Sequence, residues 1–370
     1  MSPFESFRSR RVFPSLDGIR GLSIAGVVVC HAHGPLSLGR FVSGGALGVD
    51  MFFVLSGFLI STLLLRERER TGTVSLPDFY ARRALRIVPL YYGALLVGAA
   101  LCATLLAQQP EARGYLSDLP FAAAYLTDWR WAVSWLKITW SLSAEEQFYL
   151  VWPAVEKYVR RPGAVLFGLL GLGEAIRFGL LDRVASSWLG WGPQEPGILR
   201  FCTFTPILLG VLLAHLLHER RRFEQVWILV GHRLAALVWG AALILLIWLS
   251  PEAIPAGFRV SIQLTMALLV ASAVARPDHA LAAIFDLALL RRIGAVSYGI
   301  YLLHLLVMVW VRQFLAAHHR PAAWLLPETL LLSYVLAEMS YRFYESPFLR
   351  LKSRFSPQAR PAAGAAAVGV

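Results

Sequence analysis

Apolar runs of membrane-crossing length recur along this chain, and the segments between them alternate between basic and nearly charge-free. Ten spans are expected, at 19–38, 46–65, 87–107, 140–158, 163–181, 201–218, 226–249, 260–275, 293–314 and 324–345. Each is near the ~20 residues that cross a bilayer core. The weakest are the first and fourth, which contain His31 and the Glu145–Glu146 pair, and the short eighth. The expected fold class is therefore all-α, a polytopic helical bundle of about ten transmembrane helices. Composition agrees: of 370 residues, 57% are hydrophobic and 16% charged, with a mean hydropathy of +0.58. Soluble domains carry roughly 25% charge.

The formal charge of +12 sits in short clusters between the apolar runs. FRSRRVF, RERERTGTVSLPDFYARRALR, VRRPG, HERRR and FLRLKSRF form the basic set; GRFVSGG, SPEAIPAGF and AAHHRP belong to the poorer one. The positive-inside rule places the basic set and both termini in the cytoplasm, which an even number of spans requires. The charge is thus read as topology in an inner (plasma) membrane, with the lipid bilayer as partner and no nucleic acid. Arg8–Arg11 before an apolar run imitates a signal peptide, but that run carries Arg20, His31 and His33. Cys30, Cys102 and Cys202 lie in apolar stretches without CxxC spacing and read as small buried hydrophobes. Residues 1–352 are expected to form one membrane domain, and 353–370 a disordered Ala/Gly/Pro-rich tail.

Ionisable groups inside spans are expensive, and each is a functional candidate. Arg20 and His31 stand eleven residues apart in LDGIRGLSIAGVVVCHAH. Eleven helical steps return to within about 20° of the starting face after about 16 Å of rise. A guanidinium suited to phosphate and an imidazole suited to proton transfer then share a line. Asp50, in GVDMFFVLSGFLI, and Glu145, in WSLSAEEQFYLVWP, fall near the outer ends of their spans, at the depth of His31. A carboxylate beside a histidine fixes its tautomer and stabilises the imidazolium. Against that stands the bland alternative that each acid pairs with an arginine or occupies a helix start.

Arg82, Arg83 and Arg86 cluster in FYARRALRIVPLYY. Arg82 and Arg86 are one turn apart, a fork suited to phosphate or pyrophosphate. A basic span edge is the ordinary alternative. Tyr149 lies one turn after Glu145, and with Trp140, Phe148 and Trp152 it offers an aromatic platform for an acceptor; interfacial anchoring explains most of the tryptophans. His304, in SYGIYLLHLLV, is expected to hydrogen-bond within the bundle, and His33 faces away from His31. No HExxH, GxSxG, Walker or CxxC pattern is present, so no metal is expected.

Six ordered blocks across residues 13–352 carry a resemblance: PSLDGIRGLSIAGVVVCHAH, GALGVDMFFVLSGFLIS, FYARRALRIVPLYY, WSLSAEEQFYLVWP, IGAVSYGIYLLH and YRFYESPFLR. With them the chain resembles the acyltransferase-3 family of integral membrane acyltransferases that modify sugars and macrolides. The resemblance implies that Arg20 and His31 are the family's Arg-x10-His pair, and Arg83 and Arg86 its RxxR element. Glu145 and Tyr149 match the WSLxxExxFY block. It further implies acetyl-CoA or another acyl-CoA as donor, entering from the cytoplasm, with the arginines on its phosphates and the histidine at the thioester. Many relatives carry a following SGNH hydrolase-like domain; a stand-alone form is expected here.

The resulting expectation is an O-acyltransferase moving an acetyl or other short acyl group from cytoplasmic acyl-CoA to a hydroxyl of a carbohydrate or glycan. His31, oriented by Asp50 or Glu145, is the catalytic group; Arg20, Arg83 and Arg86 hold the donor; Tyr149 and Trp140 meet the acceptor. Whether His31 acts as base or as acyl carrier stays open. The alternative is a polytopic transporter, against which stand the lack of an inverted repeat and of paired broken helices.

Overall fold

The computed structural model describes residues 1–32, 44–129, 134–181, 187, 204–251 and 254–355, and among them it contains helices and no strand. Helix α1 (Pro3–Ser9) opens with a capping box, in which the Ser2 hydroxyl accepts from the Glu5 N–H and the Glu5 carboxylate accepts from the Ser2 N–H. Helix α2 (Pro14–Ala32) leaves α1 at 74° and carries Arg20 and His31. Helix α3 (Gly48–Thr71) ends on Gly72 at φ 77°, the left-handed cap that favours glycine. Then follow α4 (Leu76–Ala103), α5 (Pro110–Ala123), α6 (Thr139–Tyr158), α7 (Pro162–Arg177) and α8 (Thr205–His218). Helices α9 (Arg220–Val230) and α10 (Ala235–Leu249) meet at 67°. Helix α11 (Ala256–Ala275) leads through a single turn at Ala282–Phe285 to α12 (Ala288–Ala295) and α13 (Ser297–Ala317). Helix α14 (Leu325–Met339) passes through a π turn at Ser340–Glu345 into α15 (Ser346–Leu351).

Among the described residues, five helices are long and apolar enough to cross a membrane: α3, α4, α11, α13 and the run Ala322–Phe355. Each bent pair, α1–α2 and α9–α10, raises the number to seven. The other runs read from the sequence fall short for identifiable reasons. Helix α6 has the length but carries Glu145, Glu146, Glu156 and Lys157. Helices α7 and α8 have 16 and 14 residues. The described part of the chain ends in a 3-10 turn at Lys352–Phe355. Residues 356–370, His33 and Cys202 lie outside the described residues.

Glycines let the backbones touch where the site is framed. A Cβ on Gly57 of α3 would lie 1.9 Å from the Ile207 carbonyl oxygen of α8, and one on Gly210 would lie 2.1 Å from that of Val54. Small residues at such crossings allow close approach between helices. Likewise a Cβ on Gly294 of α12 would meet the Asp17 carbonyl oxygen of α2 at 1.8 Å. Helix α3 is thereby pressed against α8 on one side, leaving its opposite face to line a cavity.

Candidate active site

That cavity, of about 350 Å³, lies between α2, α3, α4, α6, α13 and the turn after α15. On α3, Val49, Phe52, Phe53, Ser56, Leu59 and Ile60 face it, at the i, i+3, i+4, i+7 spacing of one helical stripe. Helix α4 contributes Arg83, Arg86 and Ile87, and α6 contributes Ser141, Glu145, Glu146 and Tyr149. Arg20 enters from α2, Tyr298 and Tyr301 from α13, and Lys352 from the terminal turn. Four cations thus surround two carboxylates in one apolar-walled space, leaving a formal excess of two positive charges among its described lining.

The polar groups are held by short local networks. The Ser56 hydroxyl and the Tyr149 hydroxyl both donate to Glu145 Oε1. The Arg83 guanidinium lies 3.8 Å from the centroid of the Tyr149 ring, a cation–π arrangement favoured when desolvated. Its Nε is buried and has no hydrogen-bond partner among the described residues. A buried unpaired donor is costly, and an anionic ligand relieves that cost. Arg86 donates to the Ala295 carbonyl at 3.3 Å. Arg20 reaches back to Asp17 at 3.2 Å, one turn along its own helix. At the inner wall the Tyr301 hydroxyl donates to the Ile138 carbonyl at 2.8 Å and meets Ser141 Oγ at 2.6 Å.

The expected constellation is brought together only in part. Arg20, Arg83, Arg86, Glu145 and Tyr149 line the cavity. Arg82 does not form the anticipated fork with Arg86; it donates to Glu67 at 3.2 Å and to the Phe355 carbonyl at 2.5 Å. Asp50 does not join Glu145. It accepts from Arg259 Nε and Nη2, both at 3.2 Å, and from Gln263 Nε2 at 2.8 Å. Six residues separate Asp50 from Ser56, a rotation of about 240° at 100° per residue, so the two point to different neighbours of α3. Trp140 is buried edge-on against Phe53, ring centroids 6.0 Å apart, and is not part of the cavity wall.

His31 is not among the residues lining the cavity; it meets His304, which in turn meets Tyr301 of the lining. The ring centroids of His31 and His304 are 5.1 Å apart, and those of His304 and Tyr301 5.8 Å. Sequence reasoning missed Ser56, Glu146, Tyr298, Tyr301 and Lys352 as site residues. Tyr298, Tyr301 and His304 share the SYGIYLLH block, one turn apart each, and that spacing was the available signal. Lys352 sits in a basic segment that the positive-inside rule already explained.

Comparison with known proteins follows the same residues. An acyltransferase domain family, acyltransferase-3, matches residues 13–338. A Staphylococcus aureus protein named "Putative O-acetyltransferase SAR0937" is 29% identical over 96% of this chain and 61% of its own length. The peptidoglycan O-acetyltransferase OatA of Listeria monocytogenes is 28% identical over 92% of this chain and 56% of its own length. The O-acetyltransferase OatA of Staphylococcus aureus is 29% identical over 93% and 58%. The chain therefore spans about three-fifths of the length of these relatives. No solved structure matches it.

Proposed function

This chain belongs to the acyltransferase-3 family and is an acyltransferase, and from that premise we propose that it moves an acetyl group from acyl-CoA to a hydroxyl of a glycan at a bacterial inner membrane. The observation that carries the donor is the cavity's ring of Arg20, Arg83, Arg86 and Lys352, with the buried Arg83 Nε lacking a partner. Coenzyme A brings a pyrophosphate and a 3′-phosphate, and guanidinium groups bind such oxygens with charge-assisted hydrogen bonds. The cavity's excess of two positive charges suits that ligand better than a neutral solute, which would leave the excess uncompensated.

In the proposed reaction His31 takes the proton of an acceptor hydroxyl. The freed oxygen attacks the thioester carbonyl, the new C–O bond forms as the C–S bond breaks, and the thiolate leaves to be protonated as the free thiol of CoA. Lowering the barrier this way is general base catalysis, typically worth 10²–10⁴-fold. With both termini on the cytoplasmic side, as the basic loops imply, the donor enters from the inside, and a glycan hydroxyl is the acceptor, as the named activity of the Listeria relative suggests. Asp50 is assigned to the framework through Arg259, and Glu145 to the cavity, where it anchors Tyr149 beneath Arg83.

Calorimetry of acetyl-CoA binding to the detergent-purified protein tests the donor site. Charged hydrogen bonds contribute about 1.5–3 kcal/mol each, so Arg83→Ala and Arg86→Ala should each weaken binding about tenfold or more. Unchanged affinity in both variants would remove the arginines, and with them the assigned donor site.

A further inference from the structure

We propose that His304 is the positioning residue of His31, holding it in the tautomer whose Nε2 accepts the proton. The inference deepens the reading of His31 as the general base and rests on it. His304 is completely buried midway along α13. Its Nδ1 lies 2.7 Å from the Tyr301 carbonyl oxygen. A carbonyl only accepts, so this nitrogen carries the hydrogen. In the neutral ring the Nε2 of His304 is then a lone-pair acceptor, and it lies 3.3 Å from His31 Nδ1. The same His31 Nδ1 lies 2.9 Å from the Val27 carbonyl oxygen, four residues back on α2. Both neighbours of that nitrogen accept, so it carries the His31 hydrogen. The second His31 nitrogen, Nε2, is consequently the unprotonated one.

This arrangement does for His31 what a carboxylate does in a triad, with a difference in charge. Asp50 is committed to Arg259 and Gln263, and Glu145 to Ser56 and Tyr149. None of these hydrogen bonds goes to His31. A neutral imidazole at that position fixes the tautomer and adds an acceptor for the imidazolium formed when His31 takes a proton. It does so without burying a further unpaired carboxylate in the bundle, which would be costly. Protonating His304 as well would place two cations with ring centroids 5.1 Å apart, a repulsion that keeps His304 neutral. Tyr301 ties the pair to the cavity, since its ring lines the wall and its carbonyl orients His304.

The test measures transfer of labelled acetyl from acetyl-CoA into membrane glycan by inverted vesicles containing the full chain. His304→Phe fills the ring's volume but offers no acceptor; His304→Gln restores an amide oxygen near the place of the ring Nε2. Loss of base orientation should lower kcat about tenfold or more in His304→Phe, with the KM for acetyl-CoA unchanged and a partial return of kcat in His304→Gln. Wild-type kcat in His304→Phe overturns the proposal, and so does a Gln variant no better than Phe. A raised KM with unchanged kcat marks a packing role only and overturns it too. His31→Ala in the same vesicles separates the layers. An inactive His31→Ala beside a fully active His304→Phe removes the positioning role alone, whereas an active His31→Ala removes the base beneath it.

Discussion

Tyr149 shows how one side chain organises opposite charges. Its ring face carries the Arg83 guanidinium at 3.8 Å, and its hydroxyl donates to Glu145. The i, i+4 spacing from Glu145 makes that contact inherent to α6, whereas the Arg83 contact depends on how α4 packs against it. Substitution separates the two functions. Tyr149→Phe keeps the ring and loses the hydroxyl, so acetyl-CoA should bind with near wild-type affinity. Tyr149→Leu loses the π face, and a desolvated cation–π contact of about 2 kcal/mol predicts binding weakened by about an order of magnitude. Calorimetry on the two variants checks this, and equal weakening in both would show that the hydroxyl, not the ring, supports Arg83. The Glu145–Tyr149 relation was legible in the sequence because it is local. The stacking of Arg83 was not, because no spacing within one helix encodes a neighbour 66 positions away.

Helix α3 has two working faces, and this explains which carboxylate went where. The 49, 52, 53, 56 stripe faces the cavity; Asp50 lies on the side that reaches Arg259 and Gln263 of α11, while Val54 and Gly57 meet α8. Periodicity places residues on faces, but the sequence alone leaves open which neighbour each face meets. Asp50 and Glu145 were therefore read as alternative partners of His31, and Asp50 is found bound to α11. The Asp50–Arg259 pair is a buried lock between α3 and α11, with side chains 3% and 17% exposed. Removing one partner of a buried pair costs about 3–5 kcal/mol because the other charge is stranded. Asp50→Ala and Arg259→Ala should each lower the melting temperature of the detergent-purified protein strongly. The double variant should lose less than the sum of the two, as coupled neighbours do. Strict additivity would show that the two side chains act independently.

Over the whole molecule, the long apolar helices α3, α4, α11 and α13 were readable as runs, because length and composition alone define such elements. The sequence was less informative where charge interrupts a helix, as in α6, or where a helix is short, as in α7 and α8. Those elements owe their places to packing, and α6 brings Glu145, Glu146 and Tyr149 into the cavity at the cost of its apolar character. Five of the six blocks, together with Lys352 just past the sixth, converge around that space, and its four cations span more than 300 residues of sequence, from Arg20 to Lys352. The fold thus brings four cations into one cavity, and Tyr301 of its wall meets the buried His304, which in turn meets the partly buried His31. Inverted vesicles containing equal amounts of wild-type protein or His31→Ala, supplied with acetyl-CoA labelled in the acetyl group, give the most direct measurement. The wild type should pass label into membrane glycan and His31→Ala should lose that transfer by at least about a hundredfold, with acetyl-CoA still bound. Transfer at the wild-type rate by His31→Ala would contradict the account.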